Sequence, residues 1–313
     1  ANGDFSSNAP DIVIGDPKNP SKIPALGVIH RREGETDAYF VANFSNTAVD
    51  AACTFAVSGR KPELWDPVRG TKRLLPQFEN KDSRTTIPIR FAPSESFFII
   101  FRNAALTAPT DASAHNFPEL LPVTDISGPW QVQFDSKWGG PSAPITFESL
   151  EDWSLHPNPG VKYFSGTAVY SQKFDTPADA LKRSLEIDLG IVNHLARVKV
   201  NGRDLGVAWT APWRIAIPAN LLRTKGNELI IEVTNVWANR LIGDEQEPDD
   251  CVWTPGPRGN GRFLKEFPEW FLKKQPRPSK GRFGFTTWNY FTKESPLVPS
   301  GLLGPVRLVA ADQ

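Results

Sequence analysis

The chain has 313 residues, enough at roughly 100–200 residues per domain for two domains with a core each. Lys+Arg and Asp+Glu both number 35, so the net charge is zero and there is no electrostatic footprint for nucleic acid or for an anionic membrane. The longest apolar stretches, such as residues 97–101, fall far short of the roughly 20 residues that a membrane-spanning helix needs.

The sequence begins Ala1-Asn2-Gly3-Asp4, holds no methionine and shows no charged and apolar leader, so it reads as a processed or excised piece of something longer. Residues 1–23 carry Pro10, Pro17 and Pro20 with Pro24 following. That density of proline argues against a regular ladder and for an extended segment. From Asp37 onward, DAYFVANFS, AACTFAVS, RTTIPIRF and SFFIIFRN are short, partly alternating runs separated by turn residues such as Asp66-Pro67 and Gly70. They predict a small antiparallel β-sandwich over residues 24–105. Residues 106–125 have the Ala, Thr, Pro and Ser content of a linker, anchored by Phe117, Leu120 and Leu121.

Strand signals resume after the linker as PWQVQF, PITFES, TAVYSQKF, SLEIDLG, ARVKVNG, DLGVAW, WRIAIP, NELIIEVTN and PVRLVAA, nine runs that predict a jelly roll over residues 126–313. Asn201-Gly202 is the sharpest turn, because both residue types tolerate positive φ and the flanking Val198/Val200 and Leu205/Val207 alternate. The fold class is all-β. Helix is confined to one turn over 219–222 and a short amphipathic segment over 266–274 with Trp270 and Phe271 turned inward. Residues 244–300 are proline-rich with no clean strand, and Trp253, Trp270, Trp288 and Tyr290 mark them as an ordered excursion rather than a disordered one.

Nine of the ten tryptophans follow the linker. A saccharide offers flat C–H faces ringed by hydroxyls, which suit an indole plate beside polar side chains. Trp138, Trp153, Trp209 and Trp213 stand in turns next to polar groups and are candidate platforms, with Trp253 and Trp288 further candidates in the excursion. The competing reading makes each a core plug whose N–H meets a carbonyl. Asn239, Arg240, Asp244 and Glu245 complete the candidate carbohydrate-binding set, and they are also expected to form a satisfied polar knot, since the Arg240 to Asp244 spacing invites a bidentate pair. Glycoside hydrolysis needs two carboxylates. The run Asp244, Glu245, Glu247, Asp249, Asp250 supplies candidates, yet it also reads as a solvated loop, an arginine-paired knot or, more weakly, an oxygen-ligand Ca²⁺ site off the EF-hand pattern.

Histidines 30, 115, 156 and 194 are scattered, and no nucleophile elbow, zinc spacing or phosphate loop is present, so no cofactor is expected. Cys53 and Cys251 fall in different predicted domains and read as free thiols.

The strings GPWQVQF (128–134), KYFSGTAVYSQKF (162–174), LEIDLGIVNHLARVKVNGRDLGVAW (185–209), APWRIAIP (211–218) and NELIIEVTNVWANRLIGDEQ (227–246) resemble the sugar-binding, galactose-binding-like jelly roll of family 2 glycosidases. More closely, they resemble the C-terminal region of the α-L-rhamnosidases of glycoside hydrolase family 106, as do HRREGETDAYFVANFS (30–45), PELWDPVRGTKRLLPQF (62–78), SFFIIFRN (96–103) and SPLVPSGLLGPVRL (295–308). The resemblance implies a large enzyme whose catalytic (β/α)₈ barrel, with the acid and base, precedes this segment. Nothing here alternates strand and helix as a barrel requires, and no catalytic residue is carried over.

The expectation is therefore an ancillary, non-catalytic portion of a rhamnosidase-like hydrolase. Its partners would be the barrel of the same protein and a rhamnose-containing glycan, in the periplasm or outside the cell. The alternatives are a stand-alone carbohydrate-binding module and a small glycosidase using loop carboxylates.

Overall fold

The computed structural model describes residues 11–17, 24–103 and 115–312. The described residues up to Leu120, with Asp312, form one compact unit and Leu121–Ala311 a second. Both are built almost entirely of antiparallel strands, as an all-β sandwich protein requires.

In the first unit a five-stranded sheet runs through Leu26–Glu33, Thr36–Asn43, Ser96–Phe101, Pro62–Asp66 and Thr71–Leu74. A four-stranded sheet runs through Ile12–Gly15, Val49–Phe55, Arg84–Phe91 and Glu79–Lys81. Side chains alternate faces along a strand. Thr85, Ile87, Ile89 and Phe91 accordingly point inward while Pro88 and Arg90 point out. Tyr39, Val41, Cys53, Phe55, Phe97, Ile99 and Phe101 close the core from both sheets. Each such aromatic or branched side chain contributes about 1.5–3 kcal/mol on burial.

Proline bounds a ladder here rather than forbidding one. Ile12–Gly15 lies between Pro10 and Pro17 and pairs antiparallel with Val49–Phe55. Four residues at a sheet edge need no amide from either proline. Residues 1–10 and 18–23 of the expected extended segment, 104–105 of the expected sandwich and 106–114 of the expected linker lie outside the described residues.

The second unit holds a six-stranded antiparallel sheet in the order Ile145–Phe147, Trp130–Phe134, Thr167–Phe174, Asn227–Thr234, Leu195–Val200 and Arg203–Ala208. It shares one core with a four-stranded sheet of Leu120–Asp125, Arg307–Ala311, Leu185–Asp188 and Arg214–Ala216. All nine strand runs expected after the linker are present. Leu120–Asp125, read from composition as the linker's end, is a strand hydrogen-bonded to Arg307–Ala311. Asn201 (φ 49°) and Gly202 (φ 79°) form the two-residue hairpin, with Val200 opposite Arg203.

Helix differs from expectation in detail. Residues 219–222 make a turn closed by the Leu221 amide on the Pro218 carbonyl, not a helix. The segment over 266–274 is helical only at Glu269–Leu272, where Phe271 stays half exposed because it stacks on Phe285 instead of entering the sandwich core. Ala238–Asp244 forms a two-turn helix after the long strand Asn227–Thr234. The excursion beyond it does hold strands: Trp253–Pro255, Arg262–Leu264 and Trp288–Asn289 form a small sheet of three. Among the described residues no helix is long and apolar enough to cross a membrane.

Candidate functional site

The excursion is pinned at both ends by one buried hydroxyl. Ser300 Oγ accepts Asn235 Nδ2 at 3.0 Å and Asn239 Nδ2 at 3.2 Å, and donates to the Val298 carbonyl. The Ser300 amide donates to Asp152 Oδ1 at 2.9 Å, and Asn239 Oδ1 accepts the Val298 amide. Buried polar atoms persist only when paired, so this set fixes where the chain leaves and re-enters the sandwich.

Arg240 and Asp244 sit one turn apart on the helix, both almost fully buried. Arg240 Nε donates to Asp244 Oδ1 at 2.9 Å, and its guanidinium lies 5.0 Å from the Phe283 ring centre. The expected bidentate pair is not what forms. Asp244 Oδ2 accepts the Gly284 amide at 2.6 Å, and Oδ1 also accepts the Phe283 amide at 3.0 Å. Burial lowers the Arg240 pKa from its ordinary value even beside this carboxylate. The predicted knot is thus split: Asn239 belongs to the Ser300 staple, Arg240 and Asp244 hold the 283–284 backbone, and Glu245 faces elsewhere.

Glu245 opens a lattice of arginines and carboxylates. Its Oε1 accepts Arg282 Nη1 at 2.8 Å and its Oε2 accepts Arg262 Nη2 at 2.6 Å. Asp249 accepts from the same two arginines, Arg262 Nη1 at 2.8 Å and Arg282 Nη2 at 3.1 Å. Asp250 receives Arg277 in a fork of 2.5 and 3.1 Å. Burial alone would raise the Asp250 carboxyl, but Arg277 outweighs it and holds the group below the usual carboxylate range. Hydrogen bonding to Asp249 raises Arg262 further. Among the described residues no group of three His, Cys, Asp or Glu is placed to hold a metal.

Over this lattice lies an exposed aromatic strip. Phe263 and Trp288 stack at 6.1 Å with planes 14° apart, and Tyr290 meets Trp288 edge-on at 5.9 Å. The three are 39, 44 and 58% exposed. Trp288 Nε1 donates to the Asn260 carbonyl at 3.2 Å, which sets the plane of its ring. Tyr290 and Phe291 line an open cleft of about 850 Å³ together with Asn260, Glu247, Arg262 and Lys293.

The predicted platforms separate by burial. Trp153 is a core plug: fully enclosed, it donates Nε1 to Tyr170 Oη and packs edge-on against Phe134 at 5.2 Å, leaving no face for a sugar. Gly301 (φ 106°) passes so close that a Cβ there would stand 2.6 Å from the indole nitrogen. Trp138 packs edge-on against Trp237 at 5.0 Å, and Trp213 packs against the sandwich core. Trp253 is half-buried with Arg262 5.2 Å from its ring centre. Among the six candidates Trp209 and Trp288 are the exposed ones, at 57 and 44%. Asn239, Arg240 and Asp244 are buried and bonded within the chain. Reasoning from sequence passed over Arg262, Arg277, Arg282 and Ser300, whose side-chain partners in the lattice and the staple lie 13 to 148 positions away and leave no local signal.

Residues 9–79 match the family model described as alpha-L-rhamnosidase, glycoside hydrolase family 106. A putative beta-glucuronidase of Formosa agariphila is 41% identical over 185 residues, which make up 58% of this chain and 15% of that protein. The solved structure of a rhamnosidase from Novosphingobium sp. PP1Y is 33% identical with a TM-score of 0.74, over 96% of this chain and 25% of that one. The chain therefore spans a quarter or less of the length of these two proteins. Residues 9–79 are thus similar in sequence to the alpha-L-rhamnosidase family, and nearly the whole chain is similar in fold to a quarter of one solved rhamnosidase.

Proposed function

We propose that this chain is an ancillary, non-catalytic portion of an α-L-rhamnosidase-like glycoside hydrolase, supporting the catalytic barrel and contributing to carbohydrate binding through a galactose-binding-like jelly roll. The observation that carries the reading is the arginine pairing of four of the five carboxylates in 244–250. Asp244, Glu245, Asp249 and Asp250 each accept from a guanidinium. A glycosidase acid must hold a proton near neutral pH, which calls for a raised pKa, whereas the forked Arg277 holds Asp250 below the usual carboxylate range. The partners are then the barrel and a rhamnose-containing glycan, and the site of action periplasmic or extracellular.

The purified chain should leave aryl α-L-rhamnosides and other aryl glycosides intact. Steady turnover abolished by Asp244→Asn or Glu245→Gln would overturn the reading and favour a small independent glycosidase.

The exposed strip Phe263, Trp288 and Tyr290 favours a second reading, a stand-alone binding module, because it is built from this chain alone. Titration with rhamnose-containing oligosaccharides, followed by tryptophan fluorescence, separates the two. A Kd of about 1 mM suits one part of a larger site, whereas about 1 µM, some 4 kcal/mol tighter, suits a self-sufficient module.

A further inference from the structure

We infer that the cleft beside Tyr290 is a saccharide subsite selective for neutral over acidic glycans. The inference rests on the ancillary carbohydrate-binding reading and adds the position and the charge class of the ligand. About 850 Å³ lies within the roughly 300–1,000 Å³ of small-molecule sites. Tyr290 supplies the plate. It lines the cleft, is 58% exposed, and its ring meets Phe291 at 5.4 Å and Trp288 at 5.9 Å with planes 84° and 69° apart, contacts that hold it while leaving most of its surface bare.

Charge then selects the ligand. The lining carries four carboxylates, Glu245, Glu247, Asp249 and Glu294, against three cations, Arg262, Arg282 and Lys293. Arg262 spends both terminal nitrogens on Glu245 and Asp249. Arg282 spends its three on the Pro248 carbonyl, Glu245, the Glu247 carbonyl and Asp249. Lys293 faces Glu294 at 3.7 Å. An acidic sugar would find its carboxylate opposite a net negative wall whose guanidiniums are committed. Sugar hydroxyls, by contrast, donate to carboxylate oxygens that keep a lone pair, as Glu245 Oε1, Glu245 Oε2 and Asp249 Oδ2 do with one guanidinium donor each.

The test is titration of the chain, by ligand-observed NMR, with a neutral rhamnosyl-glucose disaccharide and with its acidic counterpart, rhamnosyl-galacturonate. The neutral sugar should bind at least about tenfold more tightly. Tyr290→Ala should weaken it about tenfold and Tyr290→Phe less than twofold, with the melting temperature of both variants unchanged. Glu247→Lys reverses the net charge of the lining and should narrow or invert the preference. Equal or tighter binding of the acidic sugar, full affinity in Tyr290→Ala, or no binding of either disaccharide overturns the subsite. None of those outcomes touches the ancillary reading, which fails on hydrolysis by the chain itself.

Discussion

Arg240 Nε and Asp244 Oδ1 lie 2.9 Å apart on consecutive turns of one helix, with 6 and 4% of their side chains exposed. Through Asp244 the pair also binds the amides of Phe283 and Gly284, some forty positions on, so one ion pair joins the helix to the far side of the excursion. Removing one partner of a buried pair strands the other charge. Arg240→Ala should cost about 3 kcal/mol. For a unit of this size that is a fall of roughly 6–12 °C in melting temperature by calorimetry. A variant melting like the parent would show that the pair carries no structural weight.

Asp37 anchors the first unit in the same manner. Its carboxylate is sealed from solvent and accepts from Arg32 Nε at 2.7 Å, Arg60 Nη2 at 2.8 Å and His30 Nε2 at 2.9 Å. Burial by itself would raise this carboxyl, but the three donors outweigh it and the pKa falls below its ordinary 3.8. A carboxyl whose folded pKa lies below its unfolded value gives stability that is complete above the unfolded value and is lost as pH falls through the folded one. The first unit should therefore loosen as pH drops below about 3.8. Asp37→Asn should cost roughly 3 kcal/mol at neutral pH and remove that acid transition. Hydrogen exchange in Thr36–Asn43 reads both effects, and an unchanged acid transition in the variant would assign it to other groups.

Trp153 and Trp209 are a matched pair for separating core from surface. One is fully enclosed, the other 57% exposed. Trp153→Ala should cost about 3–5 kcal/mol through lost burial and the cavity left behind. Trp209→Ala should stay within about 0.5 kcal/mol of the parent. Urea denaturation checks both, and comparable losses at the two sites would contradict the burial described.

Cys53 and Cys251 are free thiols. Burial pushes Cys53 up to about 12 and, with the neighbouring Asp250 adding to it, Cys251 up to about 11. The thiolate is the nucleophile, so both should resist iodoacetamide at neutral pH and react fully once the chain is unfolded. Intact mass before and after denaturation measures this. Rapid labelling of the folded chain would be the contrary result.

The strands that the sequence made visible are those whose pattern is local. Arg84–Phe91 and Thr167–Phe174 coincide with the runs read from alternation and bounding turns, and Asn201-Gly202 closes its hairpin because residue chemistry alone permits positive φ there. Leu26–Glu33 and Thr71–Leu74 escaped notice because both are strands with polar, largely exposed faces, and nothing in LGVIHRRE or TKRL alternates cleanly. The spacing of Arg240 and Asp244 announced a pair, but not the helix that brings i and i+4 together there, and the pair is single rather than bidentate.

What sequence alone determined, then, was the all-β class, the strand runs and the abundance of tryptophan after residue 125. Tertiary structure decided which indole is enclosed and which is bare, and which arginine meets which carboxylate. The reason is physical. Backbone alternation and turn chemistry act over two to four residues and are written in the order of the chain. Burial and ion pairing join Trp153 to Tyr170, Asp250 to Arg277 and Glu245 to Arg282 across intervals that only the folded chain closes.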